Sequence, residues 1–154
     1  MTPEPIRFFV HVPKCAGTTV ERHFETHLGE GEYALAPRWR SPLRHVIGNR
    51  AALPQVVRDR GRMLSGHSLA RSMAAQFPGR ALKEYVLLRD PVGYHVSFYN
   101  YRLRRAKDRG QPHPGGFETW LSAQRRSPIA RFLLTRYFGV GYPALYGLSL
   151  AGRL

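Results

Sequence analysis

Residues 8–24 read FFVHVPKCAGTTVERHF, an apolar run that stops at Pro13 and Lys14 and passes through small residues into Thr18 and Thr19. The apolar part, residues 6–12, predicts a strand buried on both faces. Residues 18–28 predict a helix, with Thr18 and Glu21 at the spacing of a capping box. In a strand, tight turn and helix of this kind, small residues let the backbone come close to an anion. The helix then turns its first N–H groups and the positive end of its dipole toward that anion. The stretch predicts a phosphate-holding turn.

Working outward, residues 84–88 predict a second buried strand, closed by Arg89, Asp90 and Pro91. Val92, Val96, Tyr99 and Leu103 then recur at helical spacing and predict a helix over residues 92–105. Between the two strands, residues 29–42 have the glycines, prolines and alternating charges of a loop. Residues 51–60 predict a short helix despite Pro54, residues 62–65 a brief strand ending at Gly66 and His67, and residues 69–77 a helix. Alternating strands and helices imply an α/β domain with a central parallel sheet flanked by helices. The C-terminal part reads as mostly helical, with helices expected over residues 117–124 and 128–138 after a Pro/Gly-rich loop at 110–116. Residues 139–154 carry turn residues and no evident cap. No internal repeat is present, and one domain spanning residues 1–154 is expected.

The chain has 154 residues, 43% of them hydrophobic, enough for one domain with a core and too apolar for disorder. It contains no run of about 18 apolar residues, and its first residues lack the basic start and apolar stretch of a secretory signal, so a cytoplasmic protein is expected. The single cysteine, Cys15, excludes an internal disulfide. The net charge is +14, and apart from Lys14, Lys83 and Lys107 the cationic side chains are arginines. The planar fork of arginine suits phosphate and sulfate, so an anionic partner fits, as does an Arg-rich solvated surface. A Walker pattern would put its lysine after the last glycine, whereas Lys14 precedes Gly17, which argues against a P-loop kinase or NTPase.

Three segments, "HVPKCAGTT", "MLSGHSLA" and "YVLLRDPVGYHVSFYNYRLR", follow one another in the order and contexts of carbohydrate sulfotransferases. Over roughly residues 6–105 the chain most resembles heparan sulfate and uronyl 2-O-sulfotransferases. The resemblance implies a single P-loop-like domain that uses 3′-phosphoadenosine 5′-phosphosulfate as sulfate donor, with no metal. It also implies a hydroxyl-bearing, anionic glycan as acceptor, and a further C-terminal segment that closes over the nucleotide, making this chain short by comparison. One departure stands after Pro91: the family commonly has an acidic and a basic residue following the proline and a small apolar residue, and here Gly93, Tyr94 and His95 stand there.

Chemically, sulfuryl transfer needs a grip on the donor's 5′ end, positive charge at the leaving phosphate, and a base for the acceptor hydroxyl. Lys14 can supply the charge. The backbone of Cys15, Ala16, Gly17, Thr18 and Thr19, with the two threonine hydroxyls, can bind the phosphosulfate. The resemblance gives Lys14 and this turn the same roles, puts Arg89 and Ser97 on the donor's 3′-phosphate, and makes His67 the catalytic base. An imidazole suits that last task near neutral pH. His11 is expected to support the turn by hydrogen bonding, and His95 to be a helix-surface or packing residue. Cys15 as a nucleophile has no second motif behind it. The alternative class is a non-catalytic nucleotide- or nucleic-acid-binding protein, in which the Arg- and Tyr-rich residues 100–109 would meet phosphates.

Overall fold

A computed structural model describes residues 3–36 and 53–139 of the chain. Its strands are β1 (Ile6–Val10), β2 (Tyr33–Leu35), β3 (Met63–Gly66) and β4 (Leu82–Val86). They form a parallel four-stranded sheet in the order β2-β3-β1-β4. The helices are α1 (Gly17–His27), α2 (Gln55–Arg60), α3 (Pro91–Arg109), α4 (Phe117–Ser122) and α5 (Pro128–Phe132). The expected α/β architecture with a helical C-terminal part is therefore present. Among the described residues no helix is long and apolar enough to cross a membrane.

β1 is apolar on both faces because it lies between β3 and β4 in the interior of the sheet. Ile6, Phe8 and Val10 point into the main core with Leu64, Leu69, Met73 and Phe77. Phe9 points the other way, onto Phe24 of α1, with ring centroids 5.9 Å apart. His11 and Ser65 continue on the Phe9 face: His11 is two residues further along, and Ser65 is the register partner of Phe9. The sheet thus delivers two polar side chains to the underside of α1.

The start of α1 corrects the expected capping box. The helix begins at Gly17, and the capping position is held by Ala16 in the left-handed conformation with no side-chain bond. Thr18 is already inside the helix, and Glu21 is drawn away to other partners. β2 lies where a loop was expected; at three residues it is too short to show a period. Residues 37–42 of that loop and residues 51 and 52 of the expected second helix lie outside the described residues. α2 begins only after Pro54, and the helix expected over residues 69–77 is a 3₁₀ helix, Arg71–Gln76.

β4 also differs from expectation. It sits two residues earlier than predicted and forms an edge of the sheet, paired with β1 on one side. The residues after it are exposed, Leu88 by 60% and Val92 by 73%. An apolar run predicts a strand, but its place in the sheet decides its burial.

α3 is well delimited. Asp90 caps it, accepting the Gly93 N–H at 2.6 Å, Pro91 opens its first turn, and Gly110 ends it in the left-handed conformation. Val92 and Val96, expected on its inner face, are exposed, whereas Tyr94 is buried. α4 packs on α3 through Trp120, whose ring lies 5.6 Å from Phe98 and 5.3 Å from Tyr99. The helix expected over residues 128–138 is α5 followed by a π-helical turn, Leu133–Tyr137, and the Tyr137 hydroxyl donates to Glu84 of β4.

Candidate functional site

β3, β1 and β4 run in parallel, so the segments that follow them emerge at the same end of the sheet: His67 after β3, the turn of residues 11–16 after β1, and Arg89 after β4. This is the edge at which open parallel sheets offer a crevice to ligands.

The turn is bent by two residues with positive φ, Lys14 at 66° and Ala16 at 61°. Neither is glycine, and each such conformation costs on the order of 1 kcal/mol, so surrounding contacts must hold it. One holder is Cys15, which is buried in the core and lies close to Arg89, whose backbone and charge both act on its thiol. That proximity brings the turn up to the β4–α3 junction. Burial pushes the Cys15 thiol up, which makes it a poor thiolate nucleophile. A second holder is His11, whose ring lies so close under Gly17 that a Cβ there would come within 2.0 Å of it. Only glycine fits at that position.

Two of the turn's expected donors are already engaged. The Cys15 N–H bonds to the Val12 carbonyl at 3.3 Å and the Thr19 N–H to the Ala16 carbonyl at 3.0 Å. Helix geometry leaves the amides of Gly17 and Thr18 pointing beyond the N-terminus of α1. The hydrogen-bonding role expected of residues 15–19 therefore narrows to the amides between Cys15 and Thr19. The side chains of Thr18 and Thr19 lie exposed on the same first turn.

Lys14 leans toward α3, its Nζ 4.5 Å from the centre of the Tyr101 ring. Desolvation lowers its pKa, and the like charges of Arg104 and Arg89 push the same way, against an opposing effect of Tyr101. Three cations thus share one region. Tyr94, Ser97, Tyr101 and Arg104 are spaced i, i+3, i+7, i+10 and form one face of α3. Lys14 contacts that face through Tyr101, and Cys15 lies in the field of Tyr94. Ser97 therefore shares a helix face with the groups around Lys14. Tyr101 and Arg104 were not expected in the site. Their signal in the sequence is the 94/97/101/104 stripe, which competes with the 92/96/99/103 stripe on the other side of the helix.

The Arg89 side chain lies over the first turn of α3. A Cβ on Gly93 would come within 2.9 Å of its Nε and 2.5 Å of the Asp90 carboxylate. Gly93 is thus where the chain leaves room for both. His95 packs among aromatic rings, 5.3 Å from Tyr94 and 6.2 Å from Trp120, in agreement with a packing role.

Gly66, with φ 132°, turns the chain out of β3 and places His67 beside His11, with ring centroids 3.9 Å apart. The His67 ring donates its Nδ1–H to the His11 carbonyl at 2.7 Å. A carbonyl can only accept, so in the neutral ring the lone pair is on Nε2. His67 is exposed and His11 is buried. His11 in turn donates its Nδ1–H to Glu21 at 2.8 Å, and the Ser65 hydroxyl donates to the other Glu21 oxygen at 2.6 Å. Burial pushes the Glu21 carboxyl up, but the bonds from His11 and Ser65 outweigh it and hold the group below its ordinary range.

Among the described residues no group of three or more His, Cys, Asp or Glu side chains could hold a metal ion. No protein-family model, curated protein or solved structure matches the chain.

Proposed function

We propose that the chain is a P-loop-like O-sulfotransferase of the carbohydrate type, moving a sulfuryl group from 3′-phosphoadenosine 5′-phosphosulfate to an acceptor hydroxyl. The observation that carries this reading is the meeting of three sequence-distant motifs at one end of the sheet. A strained turn that carries Lys14 lies close to the Arg89 junction on one side, and His67, in a base-competent tautomer, stands on the other.

In the reaction the acceptor oxygen forms a bond to sulfur while the bond from sulfur to the bridging phosphate oxygen breaks, its electron pair leaving with the phosphate. Lys14, within reach of the turn, offsets the charge that accumulates on that oxygen, and Arg104 adds to the positive field. The Gly17 and Thr18 amides with the Thr18 and Thr19 hydroxyls bind the 5′ end. Arg89 and Ser97 take the 3′-phosphate. His67 accepts the hydroxyl proton on Nε2.

The arginines of the second half of α3, Arg102, Arg104, Arg105 and Arg109, favour an anionic acceptor. They equally suit a nucleic acid, so titration calorimetry should compare adenosine 3′,5′-bisphosphate with an oligonucleotide. One-to-one micromolar binding of the bisphosphate alone supports the transferase. Binding of the oligonucleotide alone supports the nucleic-acid reading.

A further inference from the structure

We infer that Glu21 is a positioning residue for His67, acting through His11 to hold the imidazole in place and to offset the charge it gains when it accepts a proton. The inference rests on the reading of His67 as the base.

Glu21 is on the second turn of α1, and both its oxygens are engaged: one by His11 Nδ1–H at 2.8 Å, the other by the Ser65 hydroxyl at 2.6 Å. Its side chain is 14% exposed and that of His11 is 7% exposed, so the pair is shielded from bulk water. Charges in such surroundings act on their neighbours more strongly than charges at a wet surface. His11 is clamped a second time by Gly17, which lies against its ring. The residue whose carbonyl receives His67 is thus fixed by a carboxylate and by the start of α1. His67 hangs from that assembly by its Nδ1–H, with its ring 3.9 Å from that of His11.

Among the described residues, the His67 ring meets His11, just after β1, and Phe132 of α5, whose ring stands edge-on at 6.4 Å; Glu21 of α1 lies behind His11, with Ser65 of β3 bonded to it and Tyr33 of β2 in its field. Of these groups, Glu21 is the anion. Tyr33 keeps its proton, since burial and then the Glu21 charge push its phenol up. Glu21 and His67 lie within each other's field, and His67 lowers the Glu21 carboxyl as an opposite charge would. The influence is mutual, so Glu21 favours protonated His67. A carboxylate that only clipped α1 to the sheet would make the same hydrogen bonds and leave His67 chemically unaffected.

The test is Glu21→Gln, which keeps the shape and removes the charge, read by NMR titration of the His67 ring and by the pH–rate profile of transfer. The expected result is a fall of roughly half a pH unit or more in the His67 midpoint and a matching displacement of the acid limb to lower pH. A loss on the order of tenfold in kcat is expected with them, while affinity for adenosine 3′,5′-bisphosphate stays within about twofold. Glu21→Asp keeps the charge but draws it back from His11, so a smaller shift in the same direction is expected. It also carries the test should Glu21→Gln fail to fold. An unchanged His67 midpoint in whichever variant keeps the native fold overturns the inference. The NMR arm needs no turnover, so a wild-type chain without transferase activity would refute the proposed function while still deciding the coupling.

Discussion

His67 donates its Nδ1–H to the His11 carbonyl at 2.7 Å, and that bond leaves Nε2 as the ring's proton acceptor. Donor binding, by contrast, is assigned to the turn after β1 and to the β4–α3 junction. Chemistry and donor affinity should therefore separate. His67→Ala is expected to reduce transfer by on the order of 100-fold or more while calorimetric affinity for adenosine 3′,5′-bisphosphate remains near that of the wild type. Joint loss of binding and turnover would make His67 a donor-side or structural residue.

Lys14 is held among like charges at a partly desolvated position, so its ammonium opposes folding in the absence of an anion. The sign follows from the direction of the shift. A lysine whose native pKa is lowered binds its proton less well when folded, and stability falls as pH drops through the range below the unfolded value. Lys14→Met should leave the melting temperature at neutral pH unchanged or raised, and lower transfer by on the order of 100-fold or more. A destabilised variant with normal turnover would show that Lys14 serves the fold.

Arg89 is assigned to the 3′-phosphate, a group that adenosine 5′-phosphate lacks. Arg89→Ala should weaken adenosine 3′,5′-bisphosphate by on the order of tenfold or more, in line with loss of a charged hydrogen bond, and change adenosine 5′-phosphate much less. Calorimetry with both nucleotides gives the comparison. Equal weakening would mean that the Arg89 side chain supports the fold of the junction and not the 3′-phosphate.

Glu21 has a lowered native pKa, so it binds fewer protons in the folded state than in the unfolded state. Its contribution to stability is complete above the unfolded carboxylate value, near about 4.3, and is lost as pH falls through the lower native value. Glu21→Gln should therefore flatten the acid side of the stability–pH curve and cost the most stability above that window. Urea unfolding at pH 3 to 6 provides the measurement, and parallel curves for the two proteins would contradict it.

The strand, turn and helix of residues 6–27 are legible in the sequence because every signal for them is local. So is the cap of α3, where Asp90 and Pro91 stand next to the helix they start. Burial of β4 is not legible, because an apolar run carries no information about how many strands flank it. The inner face of α3 is obscured by two stripes of similar spacing, and tertiary packing selects the one through Tyr94 and Tyr101. Glu21 misleads for a different reason. Its spacing from Thr18 imitates a cap, while Ser65, a true partner, is 44 residues away and reaches it only through the pairing of β3 with β1.

The most direct test of the central claim is a transfer assay, with the full chain incubated with 3′-phosphoadenosine 5′-phosphosulfate and a panel of anionic glycans and small alcohols, products being read by mass spectrometry. The predicted result is a sulfated acceptor formed in equal amount with adenosine 3′,5′-bisphosphate, and lost in both Lys14→Met and His67→Ala. Bound donor with no sulfated product from any acceptor, or product formed at the wild-type rate by both variants, would contradict it.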